Sequence, residues 1–129
     1  MSTSWIRRAK VVGVGQMIVL AGTAEFATEA GRDACLATSG QYQEPARSGE
    51  PGCLAYYFCP DPVVGTRMVV WELWADEVSL AAHFAHPNYK NMGQHFAKFD
   101  FLRGNFKKYR IDKVSDVYDE SFTPRADFF

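Results

Sequence analysis

Thr66–Ala75 reads TRMVVWELWA. It is a short run rich in β-branched and aromatic residues, the composition of a strand. Side chains alternate along a strand, so Met68, Val70, Glu72 and Trp74 share one side, and Val69, Trp71 and Leu73 share the other. Both sides carry large apolar groups. Such a strand belongs inside a sheet that is covered on both faces.

The neighbouring segments fit round it. Cys53–Cys59 (CLAYYFC) reads as a strand between two turn signals, Glu50-Pro51-Gly52 and Pro60-Asp61-Pro62. Its connection to Thr66 is short, which predicts an antiparallel hairpin. Met17–Phe26 (MIVLAGTAEF) is another buried strand, again apolar on both sides. Between these strands Thr28–Arg47 has no strand pattern; Ala34, Leu36, Ala37 and Tyr42 form a helical stripe ending near Pro45 and Gly49. Downstream, Asp76 is a good N-cap for a helix with Leu80, Ala81 and Phe84 on one face. Pro87 interrupts that helix, Asn88 restarts it, and Tyr89, Met92, Phe96 and Phe99 continue it. Asp100–Lys108 reads as a basic, Gly-containing connection. Tyr109–Glu120 reads as the last strand, with Asp112, Asp116 and Glu120 charging one face as an exposed edge requires.

The order is β-α-β-β-α-β, the ferredoxin-like α+β pattern: a four-stranded antiparallel sheet with two helices on one face. The apolar face left over needs a cover, and self-pairing is the common solution, so a homodimer is expected.

The 129 residues suit a single domain. Its core is expected at about 17–120, with an N-terminal lead over 1–16 and a C-terminal tail over 121–129. Aromatics make up 15% of the chain, which favours a ring-rich core or a ring-lined pocket. Net charge is −1 with no basic stripe, so no nucleic-acid partner is expected. No apolar run approaches the ~20 residues of a membrane span, and the first residues lack a signal-peptide pattern, which predicts a cytoplasmic protein. Cys35, Cys53 and Cys59 are odd in number and form no C-x-x-C pair, as expected of free thiols. His83, His86 and His95 lack metal-ligand spacing, and Val12-Gly13-Val14-Gly15 is too short for a dinucleotide loop. No metal and no cofactor are expected.

Three residues carry candidate chemistry. Glu72 and Trp74 share a strand face, and His83 follows early in the next helix, so a carboxylate, an indole and an imidazole can converge between sheet and helix. Each also has a plain structural reading. Trp74 is core packing, Glu72 pairs with an arginine such as Arg67, and His83 caps a local hydrogen bond. Tyr57, Asn88 and Tyr89 are secondary candidates for orienting a ligand.

Pro51-Gly52-Cys53-Leu54, the E-x-W of Glu72 and Trp74, and the helix with His83 before Pro87-Asn88-Tyr89 together resemble the antibiotic biosynthesis monooxygenase family. The resemblance runs from about Ile18 to Phe99. It implies a dimeric α+β barrel, and an oxygenase that acts on phenols, quinols or anthrones with molecular oxygen and no metal or flavin. It implies His83 as base or anchor, Trp74 packed on the substrate rings, and Glu72 orienting His83 or a water. Heme-degrading relatives carry an Asn on the first strand, which is absent here. The lead, the 100–108 connection and the tail ending in Asp127-Phe128-Phe129 exceed a minimal member and are expected to cover the pocket or embrace the partner. The competing readings are a ligand-binding module without catalysis and a dimerisation module.

Overall fold

A computed structural model describes residues 15–129. The lead as far as Val14, with its Val12-Gly13-Val14 stretch, lies outside the described residues. The strands are β1 (Ile18–Phe26), β2 (Cys53–Pro60), β3 (Arg67–Trp74) and β4 (Phe101–Arg110). Two helices, α1 (Glu29–Ala37) and α2 (Gly40–Gly49), join β1 to β2; two more, α3 (Glu77–Ala85) and α4 (Pro87–Ala97), join β3 to β4. The sheet runs β2-β3-β1-β4, antiparallel throughout. This is the ferredoxin-like α+β fold, with each of the two expected helices divided into a pair.

Several helix ends have local causes. Thr28 caps α1, its hydroxyl accepting from the Gly31 N–H at 3.0 Å. Asp76 caps α3, its carboxylate accepting from Ser79 N–H at 2.7 Å. His86 closes α3 and opens α4. Its Nδ1 accepts from the Asn88 N–H at 3.0 Å, and Pro87 occupies the first turn, where its missing N–H costs nothing.

The last strand is not where the sequence placed it. β4 spans the supposed connection, and Tyr109–Glu120 contributes only its first two residues to it. Beyond the Ile111 N–H bond to the Met17 carbonyl, 2.9 Å, the chain leaves the sheet. Asp112, Asp116 and Glu120 therefore decorate a tail, not a strand face. That tail folds back on itself through a Tyr118–Pro124 bridge and a stacked Tyr118–Phe122 pair at 4.5 Å.

The parity of β1 and β3 holds as read. Ile18, Ala24, Phe26, Met68, Val70 and Trp74 are buried against the helices, with Tyr56 of β2 and Leu80, Met92 and Phe96 of α3 and α4. On the other face Trp71 is 41% exposed, with Tyr57, Val69 and Tyr109 also open.

Candidate active site

A cavity of about 820 Å³ lies between the helix-side face of the sheet and α3 and α4. Leu20, Phe58, Val70, Leu80, Met92, Phe96, Phe101 and Phe106 give it apolar walls. Three of its polar groups converge from β2, β3 and α3, namely Tyr56, Glu72 and His83; Glu77, Lys90, Lys107, Lys108 and Arg110 also line it. A large, mostly apolar concavity with a small polar set is the usual form of a small-molecule site.

His83 is 1% exposed, and its place is set from two sides. Its Nδ1 lies 2.9 Å from Glu50 Oε1. Because a carboxylate accepts, Nδ1 carries the proton, and the Nε2 of a neutral ring is left with a lone pair. The second oxygen of Glu50, Oε2, accepts from the Asn88 amide at 3.0 Å. The indole of Trp74 lies against the imidazole, ring centres 4.4 Å apart and 33° between planes. Tyr56 and Tyr89 meet it edge-on at 5.4 and 5.5 Å. Burial pushes the His83 pKa below its ordinary 6.5, against the opposing pull of the Glu50 carboxylate. The ring is thus neutral near pH 7 and able to take a proton.

Glu72 is the second buried carboxyl. Its Oε1 accepts from the Trp74 indole N–H at 2.9 Å. Burial raises its pKa from 4.5 to about 7; the indole bond opposes this and the Glu50 charge adds to it. Tyr56 sits opposite Glu72 in the β2–β3 register. Burial, then Glu72 and Glu50, push its phenol pKa up, so it stays protonated.

The expected residues therefore separate. His83, Glu72 and Tyr89 line the cavity. Trp74 is fully buried and lies behind His83, beside a smaller recess of about 300 Å³ with Glu50 and His86, so it supports the imidazole and does not face the cavity. Asn88 holds Glu50 and is not part of the cavity wall. Tyr57 points the opposite way along β2, 46% exposed under the Arg47 guanidinium; its neighbour Tyr56 takes the inward position. Glu72 bonds Trp74 and not His83, and Arg67 pairs with Glu25 at 2.6 Å instead of with Glu72. In the sequence Glu50 stands only as part of the Glu50-Pro51-Gly52 turn signal. Its one signal in the sequence is a carboxylate fixed between α2 and a buried strand, where it needs a partner. Gly52 follows it closely, because a Cβ there would run into the Ser79 side chain at the start of α3. No residue of the tail lines the cavity.

Among the described residues there is no group of three or more His, Cys, Asp or Glu arranged to hold a metal ion, and no helix long and apolar enough to cross a membrane.

Comparison with known proteins agrees with this fold. An uncharacterized Synechocystis protein is 32% identical over 77 residues, 60% of this chain; the chain spans about half the length of that relative, 51%. A Deinococcus radiodurans structure provisionally named an antibiotic biosynthesis monooxygenase matches with a TM-score of 0.69 and 16% identity, over 79% of this chain and 99% of that one. One from Nitrosomonas europaea, named in the same way, gives 0.66 and 20%, over 78% and 94%. A Bacteroides thetaiotaomicron protein of unknown function, described as a possible oxidoreductase, gives 0.66 and 17%, over 76% and 100%. At these identities the structures speak for the fold. The sequence model of one family matches residues 17–94, more than half of the chain: the protein belongs to the antibiotic biosynthesis monooxygenase family.

Proposed function

We propose that this protein is a cofactor-independent monooxygenase that oxidises an electron-rich aromatic, a phenol, quinol or anthrone, with molecular oxygen. The observation that carries the reading is the Glu50–His83 pair at the polar end of an aromatic-walled cavity. Oxygen in its ground state reacts slowly with closed-shell molecules, so the substrate itself has to become a reductant. His83 Nε2 takes a proton from the substrate hydroxyl or acidic ring CH₂. The resulting anion is rich enough in electrons to reduce oxygen. For an anthrone the CH₂ carbon loses two hydrogens, gains one oxygen atom as a carbonyl, and the second oxygen atom leaves as water. All electrons come from the substrate.

Each neighbouring group has a part in this. Glu50 holds Nδ1–H and stabilises the imidazolium that forms. Tyr56 keeps its proton and offers a hydrogen bond to the developing oxyanion. Glu72, titrating near pH 7, returns a proton to the reduced oxygen. The apolar walls exclude water from the anion.

The same reading includes a homodimer formed through the open sheet face of Trp71, Val69, Tyr57 and Tyr109. The test of activity is an oxygen-electrode assay across phenols, hydroquinones and anthrones with no added cofactor. Accelerated uptake that His83→Ala abolishes supports the reading. Saturable binding with uptake never above the uncatalysed rate would leave a ligand-binding module instead.

A further inference from the structure

The cavity has two chemically different ends. His83, Glu72 and Tyr56 occupy one. At the other, on β4, the wall is made by Lys107, Lys108 and Arg110, with Glu77 of α3 the one acid beside them, and Lys90 of α4 also lines the cavity. Glu77 is already engaged, 2.6 Å from Arg110. Among the described residues Lys90, Lys107 and Lys108 have no carboxylate within ion-pair distance. The chain as a whole carries a net charge of −1, so this is a local concentration of positive charge on an otherwise balanced molecule.

The sheet register fixes the spacing of the two ends. Tyr56 pairs with Glu72, Glu72 with Leu20, and Leu20 with Lys108, which puts these four residues in one row across all four strands. Leu20 and Glu72 both line the cavity, so the row crosses its floor. Two strand spacings separate the Lys108 backbone from that of Glu72, about 10 Å. That span matches two or three fused aromatic rings. Lys90, one residue after Tyr89, approaches from the helix side.

We infer that the substrate is a fused-ring aromatic bearing an anionic group, which Lys90 and Lys108 hold while the reacting carbon lies at His83. The inference rests on the reading of this cavity as an aromatic-substrate site and adds to it a charge requirement. An ammonium group on a half-solvated rim holds a carboxylate modestly, and two acting together favour it over a neutral analogue by roughly tenfold. Salt weakens that preference because the rim is open to solvent.

The probes are a dihydroxyanthrone bearing a ring carboxylate and the methyl ester of the same compound. Anaerobic calorimetry of the full chain is expected to show the carboxylate binding roughly tenfold tighter at low salt, with the difference collapsing at high salt. In the double variant Lys90→Gln, Lys108→Gln the affinity for the carboxylate falls to that for the ester. Both lysines are exposed and carry no ion pair, and the salt titration of the unaltered protein tests the same point independently. Equal affinity for the two probes, a preference untouched by the double variant, or binding of neither probe would overturn the inference. The two readings fail separately. Equal binding with rapid oxygen uptake from both probes removes the charge requirement and leaves the oxygenase. Preferential binding of the carboxylate without uptake removes the oxygenase and leaves the anion site.

Discussion

Replacing Glu72 with Gln should stabilise the protein at high pH and not at low pH. Glu72 is 5% exposed and its carboxyl titrates near 7 instead of 4.5. The folded state therefore holds more protons than the unfolded state between those values. By linkage, the favourable contribution of the protonated side chain is fully present below about pH 4.5 and is lost as pH rises to about 7. A shift from 4.5 to about 7 corresponds to a loss of about 3 kcal/mol. Gln has the same shape, and its carbonyl can accept the Trp74 indole N–H, but it never ionises. The stability of Glu72→Gln relative to the original should thus rise by about 3 kcal/mol between pH 4.5 and 8, most of it by pH 7. Urea unfolding at a series of pH values, at one protomer concentration, measures this directly. His83, whose pKa is lowered, gives stability that is lost as pH falls through its unfolded value of 6.5, but that contribution is common to both proteins and cancels. A difference that stays flat with pH would refute the account of Glu72 as a desolvated acid.

His83→Ala should lower oxygen uptake by about 10²-fold or more, the usual scale for a general base, and Glu50→Gln should lower it by at least about 10-fold through loss of ring orientation, both read as kcat at saturating substrate. Uptake should rise with pH through an apparent pKa below 6.5, where His83 becomes neutral, and this limb should be missing from the residual rate of His83→Ala. Trp74→Ala should destabilise the fold by about 3–5 kcal/mol in urea unfolding, because a fully buried indole is removed from behind His83. Light scattering should give a dimer at micromolar concentration, and Trp71→Lys should give a monomer.

The strands most constrained by burial were the most legible. β1 and β3 sit in the middle of the sheet, so neighbours on both sides and helices above force apolar residues into fixed parity. β4 escaped notice for the opposite reason. It lies at the sheet edge, pairs only with β1, and all of its residues but Phe101 are exposed. With no cover, FLRGNFKKYR keeps no alternation, and the lysines and arginines that mask an edge read as a connection. Close pairing with β1 is legible only afterwards, at Gly22, where a Cβ would run into the Asn105 backbone. The candidate site was half legible. Strand parity and helix position bring Glu72 and His83 to the cavity wall, whereas Tyr57 faces away from it and its neighbour Tyr56 faces in, since one residue along a strand moves a side chain to the other face.

Glu50 was hidden for a more general reason. It lies 33 residues from His83 in sequence, and a loop carboxylate has no period to betray it. Yet in the proposed mechanism Glu50 and Glu72, the two buried carboxyls, have different work. Glu50 is satisfied twice, by His83 and by Asn88. Glu72 has a single indole bond against full burial, and the Glu50 charge nearby disfavours a second charge. In the proposed mechanism Glu50 is thus the acceptor that fixes the base, and Glu72 the acid that exchanges its proton near neutrality. Two carboxyls set apart by environment in this way are the ordinary means by which one site runs both acid and base steps at one pH. If Asn88→Ala removed the clamp on Glu50, the Glu72 pKa and the His83 pH limb should move together. Independent movement would show that the two carboxyls do not work as a coupled pair.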